Sequence, residues 1–173
     1  MSRMIRHGQI VADDWQILAL GEGAKAESVE LPNGRTLLPL AVWLAHRDQV
    51  ADRPESFGVW LNSHEEPAAL VGDLARLAVI GVNFPKFTDG RGYSIARLLR
   101  ERHHYQGEIR ALGDVLQDQL FYMQRCGFDA FVVRADKDIE RALAGLRVFS
   151  ETYQAGVDQP QPLFCRRAKA ETT

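Results

Sequence analysis

Asn83-Phe84-Pro85-Lys86-Phe87-Thr88-Asp89-Gly90-Arg91-Gly92-Tyr93-Ser94 joins an apolar run, Leu77–Phe84, to a helical pattern that starts near Tyr93. The stretch packs Lys86, Asp89 and Arg91 between a proline and two glycines. A connection built only to turn the chain needs no such set of charges beside an aromatic ring. It reads as a strand-to-helix junction, and the units on either side of it repeat that reading.

Toward the N-terminus, Phe57–Leu61 is an apolar run of strand length, and Glu66–Arg76 has a helical pattern with Pro67 in its first turn. Toward the C-terminus, Ile95, Leu98 and Leu99 give a helix its apolar stripe, and Gly107–Gly113 reads as the third strand. Asp114 and Gln117 have the spacing of a capping box for the next helix, which stops at Gly127. Ala130–Arg134 is the fourth strand, and Asp136 is placed to cap a last helix carrying Ile139, Ala142, Leu143, Leu146 and Phe149 on one face. Four strands alternating with four helices through short connections predict an α/β fold with a parallel sheet and right-handed crossovers. The arrangement expected is a half-barrel of four consecutive βα units, with an open doubly wound sheet as the alternative.

Residues 1–52 differ in pattern and are expected to form an N-terminal β-rich cap. Gln9–Val11 and Trp15–Leu20 read as short strands around Ala12-Asp13-Asp14. Val29–Leu31 and Arg35–Leu38 flank Pro32-Asn33-Gly34, where Asn-Gly is a hairpin signal. Leu40–Val50 reads as a helix. The (βα)4 domain then spans 53–156, and 157–173 is an extended tail rich in Pro, Gln and Arg.

The chain has 173 residues, enough for one domain with a sizeable core. With 21 Lys and Arg against 23 Asp and Glu, its net charge of −2 offers no general attraction to nucleic acid or anionic membrane. No apolar run reaches the ~20 residues needed to span a bilayer, and Met1–His7 lacks the apolar segment of a signal peptide. Cys126 and Cys165 make no metal or redox motif and read as reduced thiols of a cytoplasmic protein. Two cysteines cannot hold an iron–sulfur cluster, and Gly90-Arg91-Gly92 does not continue into a dinucleotide-binding fingerprint. No resident cofactor and no metal site are expected.

Parallel α/β sheets carry their sites at the carboxyl ends of the strands. By that rule strand one offers Asn62, Ser63 and His64; strand two Lys86, Asp89 and Arg91; strand three Asp114; strand four Arg134 and Asp136. The candidate anion- or substrate-binding residues are Lys86, Arg91, Gly92, Ser94 and Arg134. Arginine can grip an oxyanion with two bonds, lysine adds a point charge, and glycines let a ligand approach helix N–H groups. Asp89 and Asp114 are the candidate catalytic carboxylates. The simpler structural roles compete: Asp89 capping the helix and pairing with Arg91, Asp114 capping the next one. His103, His104 and Cys126 fall away from the expected face and are read as packing or solvated residues. The guest expected is a small anion such as phosphate, sulfate, sulfite or a carboxylate.

Phe84–Ser94, Leu98–Arg102, Gly113-Asp114-Val115-Leu116 with Asp118-Gln119-Leu120, and Arg125–Phe131 together resemble a bacterial family of unknown function, number nine hundred and thirty-four. The likeness extends to Ala12-Asp13-Asp14-Trp15 and Leu38-Pro39-Leu40. That family is described as associated with sulfite reduction, because its genes neighbour those of assimilatory sulfite reductase. The resemblance thus implies an accessory protein of sulfite or sulfate assimilation, with the reductase as partner, and carries over no catalytic residues. A small enzyme acting on an anionic metabolite through residues 86–91 and Asp114 is the alternative. The same loops resemble sugar-acid dehydratase barrels, although the acidic metal ligands on successive strand ends of that group are not evident. Four strands leave exposed edges, so a homodimer is expected.

Overall fold

The computed structural model describes residues 2–21 and 23–170. Its strands are β1 (Ser2–Arg6), β2 (Gln9–Asp13), β3 (Gln16–Ile17), β4 (Thr36–Pro39), β5 (Phe57–Leu61), β6 (Val79–Phe84), β7 (Glu108–Gly113) and β8 (Ala130–Phe131). They form one mostly parallel sheet, curled as a half-barrel, in the order β2-β1-β8-β7-β6-β5-β4-β3. The helices are α1 (Leu40–Ala45), α2 (Arg47–Ala51), α3 (Arg91–Arg97), α4 (Gln117–Cys126), α5 (Ile139–Gly145) and α6 (Leu163–Ala170).

The α/β class and the half-barrel agree with the sequence reading, and the parallel sheet continues past the four expected strands into β4 and β3. Strands β3 to β8 run parallel to one another, and β1 is antiparallel to both of its neighbours, β2 and β8. The parallel order never reverses, so the sheet lacks the switch point of a doubly wound fold. Side chains from α1, α3, α4 and α5 bury against Val59, Leu61, Ile80, Val82, Phe84, Ile109, Ala111 and Phe131 on one face. On the other face Leu37, Val79 and Leu112 meet Trp15, Trp60 and Val132.

The N-terminal strands pair differently from expectation. β2 turns back onto β1 through His7 and Gly8, both in the left-handed region (φ 48° and 72°), the conformation a two-residue hairpin requires. The Asn33-Gly34 hairpin does not form. All four residues of β4 are buried, and β4 is a central strand with parallel partners on both sides, β3 and β5.

The expected helix over 66–76 is a single 3-10 turn, Pro67–Leu70, followed by irregular turns. Asp73 explains the break. Its carboxylate turns inward to accept Trp43 Nε1–H (3.0 Å) and Arg47 Nε–H (2.9 Å), with Arg76 also bound to it. The tail, expected to be extended, contains α6, anchored by Leu163 N–H on the Tyr153 carbonyl and by Arg166 on Glu151.

Candidate functional site

The loops after β5, β6, β7 and β8 meet in two charge clusters joined by one backbone bond. In the first, Asp89 Oδ1 accepts the Arg91 backbone N–H (3.2 Å) and Nε–H (3.0 Å), and Oδ2 accepts Nη2–H (2.7 Å). The same Nη2 donates to Ser63 Oγ, 2.9 Å away at the end of β5. The Arg91 guanidinium, and after it the Ser63 hydroxyl, hold the Asp89 carboxyl well below the usual carboxylate range. The pairing in turn raises Arg91.

In the second cluster Arg134 Nη1 donates to Asp114 Oδ1 (2.6 Å), and its Nε donates to Asp136 Oδ1 (2.6 Å). Lys137 Nζ lies 3.3 Å from Asp136 Oδ2. Arg134 first, then Lys137, lower Asp136 to about 2. Two carboxylates raise Arg134. The clusters connect at Phe87, whose N–H donates to Asp114 Oδ2 (2.7 Å). Gly113 makes this reach possible: at φ 88° it turns the chain so that Asp114 N–H bonds the Phe84 carbonyl (2.8 Å).

Asp114 is therefore not the helix cap. The capping bond lies two residues later, where Gln119 Oε1 accepts Leu116 N–H (2.9 Å) at the start of α4. Nor does Asp136 cap α5. Asp138 does, accepting the N–H groups of Glu140 (2.9 Å) and Arg141 (3.1 Å). In both cases Arg134, from the next loop for Asp114 and from the same loop for Asp136, has taken the carboxylate.

The other predicted residues separate. Lys86 is exposed and pairs with no carboxylate among the described residues. Gly92 is buried against the Phe84 ring: a Cβ there would lie 2.6 Å from Cζ, so the missing side chain answers a packing need. Ser94 is exposed and shares with Arg91 a pocket of about 290 Å³, which Ser63, His64, Glu65 and Leu98 also line. Glu65 spends one oxygen on Asn62 N–H (2.6 Å). Among the described residues Arg91 Nη1 makes no hydrogen bond, and Arg91 lines the pocket together with Ser63, Ser94 and His64.

Sequence reasoning missed two residues of this face, Gln119 and Phe87. Gln119 Nε2 donates to the Phe87 carbonyl (3.4 Å), tying α4 to the β6 loop. The Leu116–Gln119 spacing was available as a signal, but Asp114–Gln117 has better capping chemistry and masks it. Among the described residues no cluster of three or more His, Cys, Asp or Glu could hold a metal ion. Cys126 is buried, and burial pushes its thiol up. No described helix is long and apolar enough to cross a membrane.

The model of the family "Bacterial protein of unknown function (DUF934)" matches residues 58–164, which contain every strand-end loop described above, and the chain belongs to that family. No curated protein matches the chain.

Proposed function

We propose that this family member is a cytoplasmic accessory protein of sulfite or sulfate reduction that binds a small oxyanion at the carboxyl ends of β5 and β6. The observation carrying the reading is the held guanidinium of Arg91. Asp89 and Ser63 fix its Nε and Nη2 edges, while Nη1 remains to meet a guest in the pocket with Ser63, His64 and Ser94. A preorganised cation beside two hydroxyls suits a tetrahedral or pyramidal oxyanion. The sulfur oxyanion is the choice implied by the family's association with sulfite reductase. Lys86, on the same loop, is exposed and pairs with no carboxylate among the described residues.

An enzyme using Asp89 as acid or base has less support. A carboxyl held far below its ordinary range donates no proton near neutrality. Asp114 has both oxygens engaged, by Arg134 and by Phe87 N–H. Fixed charges suit binding better than proton transfer.

Thermal unfolding with sulfite and sulfate at millimolar concentration tests the anion site. Either ion should raise the Tm of the wild type, and Arg91→Ala should remove the rise. A wild-type curve unmoved by both ions refutes it. The pathway claim is tested separately: the protein should co-purify with sulfite reductase, and normal growth of a deletion strain on sulfate as sole sulfur source overturns it.

A further inference from the structure

A cavity of about 600 Å³ lies at the other end of the sheet, where the chain enters β6 and β7. One wall is apolar, made by Val71, Leu74 and Leu77; the opposite rim carries Arg102, His103 and His104. We propose that this cavity binds an amphipathic anion, an apolar body bearing one carboxylate, sulfonate or phosphate group. The site is independent of the Arg91 pocket.

Charge is the first argument. The chain as a whole is acidic by two charges, yet no carboxylate lines this cavity. Arg102 forms no ion pair among the described residues, and neither histidine side chain is hydrogen-bonded there. Three carbonyls of the rim, which would favour a cation, already accept side-chain donors. Arg100 Nη1 takes those of Tyr105 (2.6 Å) and Gly107 (2.8 Å), and Gln106 Nε2 takes that of His104 (3.0 Å). What remains facing the cavity is positive.

The local backbone is built to present that rim. After α3 the helix widens into a π-turn over Leu98–Arg102, closed by His103 N–H on the Leu98 carbonyl (3.0 Å). Such turns recur at functional sites. His104 then adopts φ 52°, a conformation non-glycine residues seldom take. Tyr105, buried, closes the cavity on the side of the sheet and donates its hydroxyl to the Leu77 carbonyl (3.0 Å). Its phenol is pushed up by burial and remains a donor.

The two walls together select the ligand class. A bare inorganic ion would leave Val71, which is 52% exposed, and Leu74 in contact with water. A neutral apolar ligand would leave Arg102 unmatched. The volume suits a compact organic molecule.

The test uses 1-anilinonaphthalene-8-sulfonate, an aromatic sulfonate, titrated into the full chain and followed by fluorescence and calorimetry. Wild type should bind it at one saturable site. Arg102→Glu should weaken binding by about tenfold or more, and Ala75→Trp, which fills the cavity from an exposed position, should abolish it. Circular dichroism verifies that each variant is folded, and Arg102→Glu alone decides the matter if Ala75→Trp is not. Arg91→Ala should bind as wild type does, which separates this site from the oxyanion pocket. Non-saturable binding to wild type, or wild-type affinity in folded Arg102→Glu, overturns the proposal.

Discussion

Replacing Arg110 by methionine should cost this protein about 3–5 kcal/mol, the range for leaving a buried ion pair half-made. Arg110 stands in the middle of β7, 1% exposed, with Nη1 2.8 Å from Asp13 Oδ1 and Nη2 2.7 Å from Glu108 Oε1. The Trp15 ring covers the guanidinium, its centroid 5.9 Å from Cζ. The two carboxylates are themselves sheltered, with side chains 7% and 11% exposed. Methionine fills much of the volume, so the cost comes from two like charges stranded in a low-dielectric site. Arg6, 3.8 Å from Glu108 and half-exposed, can recover part of this, which favours the lower end of the range. For a chain of 173 residues the loss should lower Tm by roughly 6–20 °C. Urea unfolding followed by circular dichroism measures it. The triple change Arg110→Met, Asp13→Asn, Glu108→Gln should return much of the stability, because no uncompensated charge is left. A single variant that loses less than about 1 kcal/mol, or a triple variant no better than the single, refutes the assignment of the cost to stranded charge.

Gly92→Ala should cost about 1–3 kcal/mol, because its Cβ would overlap the Phe84 ring between α3 and β6; an unchanged urea midpoint would contradict this. Asp73 should make the protein acid-sensitive. Burial pushes its carboxyl up, but Trp43 N–H and the Arg76 and Arg47 guanidiniums outweigh that and hold it below its ordinary value. Its contribution is therefore present above the unfolded pKa, about 4, and is lost as pH falls through the lower folded value. Asp73→Asn should lower stability at pH 7 and flatten the fall in Tm below pH 4; parallel Tm–pH curves for the two proteins would refute the role.

The readable parts of the chain were those where local signals and tertiary demands agree. Val79–Phe84 followed by Pro85, two glycines and a 3.6-residue apolar period is a strand, a loop and a helix on any account, and so it is in the structure. Asp114 shows the opposite case. Its spacing to Gln117 matches a cap, but Arg134, 20 residues later, competes for the same oxygens, and a charged partner outweighs a backbone N–H. Asp136 loses its cap role to the same arginine. Asn33-Gly34 favours a hairpin locally, yet burial of Thr36–Pro39 on both faces requires two strand neighbours, and β3 and β5 supply them. Arg110 left only a faint trace, one of two charges, with Glu108, in a strand otherwise apolar. Its burial depends on Asp13 and Trp15, nearly 100 residues away in sequence, which no local pattern announces.

The pairing of charges at the strand ends also bears on how tightly an anion can be held. Asp89 occupies two edges of the Arg91 guanidinium, and Asp114 with Asp136 occupies Arg134. At the proposed site the pocket is lined by Arg91, Ser63, Ser94 and His64, while Glu65 and Glu66 border it and oppose an anion. For the proposed oxyanion site this predicts weak binding, with affinity in the millimolar range. At ten times its Kd a ligand of this kind raises the Tm of a chain this size by about 3–6 °C. Removing Asp89 should then have a sign that separates two views of the cluster. If Asp89 mainly fixes Arg91 in place, Asp89→Asn keeps a hydrogen-bonded orientation and, with one negative charge fewer, the Tm rise with sulfite grows. If Asp89 itself handles protons for a reaction, the same change leaves binding as it was and removes turnover. A larger sulfite-induced shift in Asp89→Asn supports the fixed-charge reading; an unchanged or smaller shift counts against it.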